Sequence, residues 1–478
     1  MIYENKDSKR EILFPVRVVE SEGKMSDFEA LLKEKPLQIG LSEKDCFVVD
    51  GKGYIILDFG REMCGGVRIM AFTMSGECNI RIRFGESVNE TCAELGEKGA
   101  CNDHSLRDIN TNLQNYSSML FGGSGFRFVR IDFLNDTYVN IKSIVADGAV
   151  YCAESIFDYK GTDSRIKDIF DTAKRTIDLC CATEYIWDGI KRDRLVWIGD
   201  IYPEMIAFVT LYGRGAILER SLDFIREQTT LPEWMNGIPG YSLWWIIICA
   251  DYYKKTGCKD FAEKQIEYMT ALLDQIDGCI KENGDLDYPM YFVDWPTHDQ
   301  VDELAGVRAI NIIAAKKAIE FLKSFDLDTT VAERILEKLL KVEIKVQYAK
   351  QVIALKYFAV GELSEEEKAK LIEGGAQGMS TFMSYFILKA IADTSGKETA
   401  IDIMKEYYGA MLDIGATTFF EDFDMDWLKG AGRIDERTKE GQIDIHGDYG
   451  KFCYVGFRHS FCHGWSAGVI TFIEEYCS

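Results

Sequence analysis

The sequence predicts a multidomain β plus α protein: an N-terminal antiparallel β-sandwich followed by an (α/α)6 toroid of six helical hairpins. Three observations carry that expectation. A chain of 478 residues is about three times the usual domain unit of roughly 150 residues. Its hydrophobic period changes near Ser155, from alternation to three- and four-residue spacing. The second part then holds about twelve successive segments of helical length. The expected boundary divides residues 1–155 from residues 156–478.

In the first part, the runs Tyr54–Leu57, Gly66–Ala71, Asn79–Phe84, Phe126–Phe133 and Val139–Ala146 alternate apolar with polar side chains, as half-buried antiparallel strands do. Arg81 and Arg83 between Ile80, Ile82 and Phe84 show the pattern most clearly. Gly122-Gly123-Ser124-Gly125 reads as a turn between two runs; it lacks the following helix and Lys-Ser/Thr of a phosphate loop.

In the second part the expected helices are 163–182, 203–213, 215–229, 241–256, 259–280, 299–325, 328–342, 344–356, 364–372, 379–393, 396–412 and 463–476. Asp163 and Ser164 open the first, Pro203 stands early in the second, and Ser364 precedes acidic residues in the ninth. A bundle, a solenoid or a closed double ring would each use such helices. No solenoid-type repeat is present, and long loops at 184–202, 281–298 and 413–462 suit a ring with a loop-lined funnel.

Hydrophobic residues make up 47% of the chain and aromatic residues 12%, enough for a large core. Lys plus Arg total 55 against 78 Asp plus Glu, and a net charge of -23 repels phosphate backbones and anionic lipid. Nucleic acid and membranes are therefore not expected as partners; a neutral small-molecule carbohydrate is, and a homo-oligomer stays open. The first twenty residues have no apolar leader, and Tyr241 to Ala250 is too short to span a bilayer. With fourteen cysteines in no framework or Cys-x-x-Cys spacing, the expected location is cytoplasmic. The five scattered histidines and the absence of His-Glu-x-x-His, Gly-x-Ser-x-Gly or EF-hand patterns lead us to expect no metal and no cofactor.

Four clusters carry candidate chemistry. From Trp187 to Asp200 the chain sets Asp188, Asp193 and Asp200 among Lys191, Arg192, Arg194 and two tryptophans. Carboxylic acids, Arg and indole faces are what glycosidic chemistry uses, although a charged loop with local salt bridges has the same composition. The second, Asp287 to Asp299, holds Asp294 and Trp295 among aromatics; an Asp capping the following helix fits it as well. In the third, Gly415 to Trp427, Glu421 follows Thr-Thr-Phe-Phe, and an acid among aromatics has a raised pKa. It is equally the first residue of an acidic exposed stretch. The last, His459 to Ser466, brings His463 and Trp465, where a histidine at a helix start is more often a cap or a buried hydrogen-bonded residue.

The segment Lys191-Arg192-Asp193-Arg194-Leu195-Val196-Trp197-Ile198-Gly199-Asp200 resembles the signature of glycoside hydrolase family 78, the α-L-rhamnosidases, which reads Arg-Asp-Glu-Arg-Leu-Gly-Trp-Thr-Gly-Asp. Gly415-Ala416-Thr417-Thr418-Phe419-Phe420-Glu421 resembles the family's second acidic motif. Leu57-Asp58-Phe59-Gly60-Arg61, Phe84-Gly85-Glu86 and Gly125-Phe126-Arg127-Phe128-Val129 look like its accessory sandwich.

The resemblance implies a six-hairpin toroid and inverting hydrolysis of a terminal α-L-rhamnosyl unit, with Asp193 as general acid and Glu421 as general base. It further implies Asp188 and Asp200 binding hydroxyls, with Arg192, Asp294, Trp295 and His463 completing a pocket that Trp197 and Trp465 share. Two departures stand out. Asp replaces Glu at the acid position, moving the proton by about an ångström, and the chain ends at Ser478 without the family's C-terminal β-domain. The alternatives are a hydrolase or lyase of another sugar on the same toroid, or a catalytically degenerate carbohydrate-binding protein.

Overall fold

Alternating side chains in the first part build one hydrogen-bonded antiparallel sheet in the computed structural model, which describes residues 6–40, 44–452 and 454–478. Its strands are β1 (Ser8–Leu13), β2 (Arg17–Ser26), β3 (Phe47–Met74), β4 (Cys78–Gly85), β5 (Asp108–Leu113), β6 (Ser117–Phe133) and β7 (Tyr138–Tyr151), with the short helix α1 (Glu29–Leu32) after β2. The order is β1-β7-β3-β6-β4-β5, and β2 pairs with β3.

β3 unites two runs expected as separate strands. Residues 53–58 pair with β2 and β6, whereas residues 63–71 lie between β6 and β7. The register shift between Asp58 and Met63, at Gly60 with φ +80°, separates the two portions. Ile55, Leu57, Ile69, Ile82, Phe84, Phe126, Val129 and Ile144 from both portions share one buried core.

The expected turn at Gly122-Gly123-Ser124-Gly125 lies instead inside β6. Gly65 pairs with Ser124 and Val67 with Phe121, so the glycines form a bulge. The reason is space. A Cβ on Gly122 would meet the Phe84 ring at 2.5 Å, and one on Gly125 would meet Ile190 Cγ1 at 2.6 Å and Lys191 N at 2.8 Å. Gly125 thus lets the acidic loop of the second part lie directly on the sheet.

The helices are α2 (Ser164–Cys180), α3 (Ile201–Tyr212), α4 (Ala216–Gln228), α5 (Pro239–Thr256), α6 (Lys259–Gly278), α7 (Glu303–Lys323), α8 (Thr330–Leu339), α9 (Lys350–Val360), α10 (Glu365–Ile372), α11 (Ser384–Ser395), α12 (Lys397–Asp413) and α13 (Val469–Cys477). Asp163 caps α2 through Arg165 N and Ile166 N, and Ser364 with Glu367 forms a capping box on α10. The expected 344–356 helix starts later, at Lys350, because Gln347, Tyr348 and Ala349 donate their backbone N–H groups to Asp302. The last expected helix opens as a 3-10 turn, Gly464–Gly468.

α3 packs on α5, α5 on α7, α7 on α9, α9 on α11, α11 on α13, and α13 back on α3. The contacts close on themselves. α3 and α5 are buried nearly all round, while α4, α6 and α8 bury one stripe and expose charged faces, as the outer members of a layered arrangement do. Among the described residues, no helix is long and apolar enough to cross a membrane.

Candidate active site

The loop from α2 to α3 carries the first acidic cluster, and its shape is set from both sides. On one side it lies on Gly125 of the sheet. On the other, Gly464 N donates to Asp188 O at 2.7 Å, and Gly189 bridges His463. Within the loop Leu195 N donates to Asp188 Oδ1 at 2.9 Å, Arg194 Nε to Ile190 O at 2.8 Å, and the Arg194 guanidinium covers the Trp187 ring. Asp193 and Arg194 both take φ +55°, a left-handed pair uncommon for residues with side chains and typical of functional sites.

Glu421 arrives from the loop after α12 and is held at every polar group. Its N–H donates to Ser460 O at 2.9 Å, and Ser460 N returns a bond to Glu421 Oε2 at 3.1 Å. Its carbonyl accepts from Trp465 Nε1 at 2.8 Å and from Thr381 Oγ1. Arg192 joins the two acids: Nη1 donates to Asp193 Oδ2 at 2.8 Å and Nη2 to Glu421 Oε1. Since one planar guanidinium spans them, the nearest oxygens of the two carboxylates lie no more than about 8 Å apart.

Asp188, Arg192, Asp193, Trp197, Asp200, Trp295, Glu421, His463 and Trp465 line one cavity of about 410 Å³, within the range of roughly 300–1,000 Å³ usual for small-ligand sites. Asp294 does not line it. Its carboxylate accepts from Thr297 N, Thr297 Oγ1 and, at 2.6 Å, Ser380 Oγ, capping the 3-10 turn Trp295–Thr297 that presents Trp295. The capping reading of this residue is the observed one, although the turn it caps precedes α7. His104, Leu195, Ile238, Tyr241, Phe292 and Arg458 also line the cavity and were not among the expected site residues.

Burial governs the electrostatics. His463 Nε2 faces Asp188 Oδ2 at 3.8 Å, Asp200 Oδ2 at 3.9 Å and Glu421 Oε1 at 3.9 Å. Burial and the nearby Arg192 hold this imidazole well below its ordinary pKa, so it is neutral. Burial, reinforced by Asp200 and Asp193, pushes Asp188 well above the carboxylate range; burial carries Asp200 to about 8 despite the 2.8 Å bond from Tyr241. Burial also raises Glu421, opposed by Arg192 and the Ser460 N–H. The site therefore sets carboxyls that burial pushes toward the protonated form beside a guanidinium that favours the ionised form of Glu421.

The apolar part of the wall is mostly aromatic, with Leu195 and Ile238 beside the rings. Trp197 meets Tyr241 edge to face at 6.1 Å, and Phe292 meets Trp295 at 5.1 Å. Such rings offer faces on which the C–H side of a sugar can stack. Among the described residues, two further groups bring metal-ligating atoms together, Glu86 with Glu90 and His446, and His298 with Asp299 and Glu303. In the first, the Lys191 ammonium already lies 3.1 Å from Glu86 and 3.5 Å from Glu90.

Helices α3, α5, α7, α9, α11 and α13 pack in a closed sequence, and comparisons with known proteins find the same fold. Residues 155–321 match the family model described as the bacterial alpha-L-rhamnosidase six-hairpin glycosidase domain. Solved structures similar to this chain over 90–98% of its length are rhamnosidases, one of them described as of glycoside hydrolase family 78, the family that the sequence resembles. A rhamnosidase from Klebsiella oxytoca with rhamnose bound shares 18% identity over 98% of this chain and 96% of its own, with a TM-score of 0.75. The rhamnosidase of Bacillus sp. GL1 shares 18% over 90% and 47%, with a TM-score of 0.70. An α-L-rhamnosidase of Streptomyces avermitilis complexed with L-rhamnose shares 15% over 98% and 44%, with a TM-score of 0.65. This chain spans about half the length of the latter two. No curated protein matches.

Proposed function

We propose that the protein is an inverting glycoside hydrolase that removes terminal α-L-rhamnosyl units, or a closely related sugar, from small oligosaccharides or glycosides. On this reading residues 1–155 form an accessory sandwich and residues 156–478 the catalytic (α/α)6 toroid. One observation carries the reading: a single guanidinium, Arg192, holds Asp193 and Glu421 on one cavity that Trp197, Tyr241, Phe292, Trp295 and Trp465 also line. The rhamnosidase relatives support the choice of sugar.

In the reaction Asp193, half-buried and open to the cavity, gives its proton to the glycosidic oxygen as the bond to the anomeric carbon breaks. Glu421 takes a proton from the water that attacks the opposite face of that carbon, so the product leaves with inverted configuration. Asp188, Asp200 and neutral His463 bind hydroxyls. The carboxyl spacing that one guanidinium allows admits the roughly 6.5–9.5 Å that leaves room for a water in inverting pairs.

The test is hydrolysis of a chromogenic aryl α-L-rhamnoside, beside other aryl glycosides, by wild type, Asp193→Asn and Glu421→Gln. Turnover falling about a hundredfold or more in both variants supports the assignment. Turnover of another glycoside alone replaces the sugar. Binding of L-rhamnose without turnover of any substrate replaces the enzyme with a carbohydrate-binding protein.

A further inference from the structure

Glu86 follows the last residue of β4 and is 1% exposed, yet its carboxylate works at the opposite side of the interface between sheet and helices. Oε2 accepts from Phe461 N at 2.6 Å and lies 3.1 Å from Lys191 Nζ; Oε1 accepts from Ser460 Oγ at 3.2 Å. Each partner adjoins a group that holds the proposed acid pair. Ser460 N is the donor to Glu421 Oε2. Lys191 precedes Arg192, whose two terminal nitrogens hold Asp193 and Glu421.

Lys191 and Arg192 also fasten to the same segment. Lys191 Nζ donates to Phe457 O at 2.8 Å and to His459 O, and Arg192 Nε donates to Arg458 O at 2.9 Å. The ammonium also lies among Glu86, Glu90 and His446, 3.3 Å from His446 Nε2. This cluster is therefore a completed joint between the acidic loop, the 457–461 segment and the sheet.

We propose that Glu86, supplied by the β-rich part, is a positioning residue for catalysis: its reach to the Ser460–Phe461 peptide and to Lys191 sets where the Glu421 carboxylate stands. The proposal rests on the reading of Glu421 as general base. It assigns the sheet a share in the active site without contact to substrate, and it makes length, more than charge, the property of Glu86 that matters. Gln keeps the length, with its oxygen toward Phe461 N and its amide toward Ser460 Oγ, whose hydroxyl can still donate to Cys462 O, 3.1 Å away. Asp keeps the charge and falls one methylene short.

The experiment compares wild type, Glu86→Gln, Glu86→Asp and Glu86→Ala on an aryl α-L-rhamnoside, with folding followed by thermal melting. The expected result is kcat within about fivefold of wild type for Gln and lowered about thirtyfold or more for Asp and Ala, with KM within about threefold throughout. Asp stands in for Ala if Ala does not fold. Equal losses in Gln and Asp, Asp more active than Gln, or near-wild-type kcat in a folded Asp variant would each overturn the proposal. Crystal structures provide a readout without substrate: the 3.1 Å bond from Ser460 N to Glu421 Oε2 is kept in Gln and broken in Asp. If wild type hydrolyses nothing, the proposed function fails, and an unbroken bond in the Asp variant would sink the positioning role separately.

Discussion

Replacing Arg192 by Met should move the acid limb of the kcat/KM profile to higher pH. Glu421 must be ionised to take a proton from water, so kcat/KM rises with pH through its pKa. Burial raises that pKa, and Arg192 opposes the rise by both its charge and its hydrogen bond. Arg192 and Glu421 are each about 3% exposed, so bulk solvent screens the pair little.

A hydrogen bond to a charged group is worth about 1.5–3 kcal/mol, and one pKa unit corresponds to about 1.36 kcal/mol. Losing Arg192 should therefore raise the limb by about one to two units. The Ser460 N–H remains and limits the change. Arg192→Lys should show a smaller shift with reduced kcat, since it keeps the charge and loses the fork that spaces the two acids. The assay is hydrolysis of an aryl α-L-rhamnoside from pH 4 to 9 by variants shown to be folded. A limb that stays in place or moves down in Arg192→Met would refute the role given to the guanidinium.

Three further expectations concern the frame around the site. Both carboxylate oxygens of Glu204 lack a hydrogen-bond partner among the described residues, and burial raises its pKa well above 4.5. The folded protein thus keeps a proton that the unfolded chain releases, and stability is lost as pH rises through the unfolded value toward the folded one. In urea titrations, Glu204→Gln should gain on wild type by about 1.4 kcal/mol per pH unit above about pH 5; a difference independent of pH would contradict the assignment. Gly125→Ala should cost about 1–3 kcal/mol of stability and lower turnover, because the new Cβ displaces Ile190 and Lys191 at the head of the acidic loop; unchanged turnover would separate that contact from the site. Arg127 holds Asp58 at 2.8 and 2.9 Å and Gly415 O at 2.9 Å across the joint between sheet and helices. Arg127→Met should destabilise by about 3 kcal/mol in chemical denaturation, with Arg17 at 3.0 Å retaining part of the partnership to Asp58.

What was legible in the sequence was what local pattern encodes. The inner helices announce themselves because burial on every side makes them long apolar runs, and the caps at Asp163 and Ser364 sit where their side chains reach the first turn. The acidic loop and Glu421 line one cavity, and each of the two motifs is compact in sequence. β1, β2 and β5 were missed: they are short or edge strands whose exposed charged residues, such as Lys9, Arg10, Glu22 and Lys24, mask the alternation. The bulge at Gly122–Gly125 reads as a turn unless the Phe84 ring and the Ile190 loop are already known to press on it.

Asp294 illustrates the same limit within the site. A carboxylate among aromatics has the composition of a binding wall, and only the positions of Thr297 and Ser380 make it a cap. His104 and Arg458 reach the cavity rim from opposite parts of the chain, where Arg458 also pairs with Asp103 and stands 3.9 Å from Asp193. Neither carries a motif. Tyr241 lay at the head of an apolar run that periodicity reads as core, and its hydroxyl on Asp200 is a tertiary fact.

The configuration of the sugar at the moment of release tests the paired roles of Asp193 and Glu421 most directly. Proton NMR during the first minutes of aryl α-L-rhamnoside hydrolysis should show β-L-rhamnose appearing first, with the α anomer growing in only by mutarotation. First appearance of the α anomer would mean a double displacement and would contradict the assignment of Glu421 as the base that activates water.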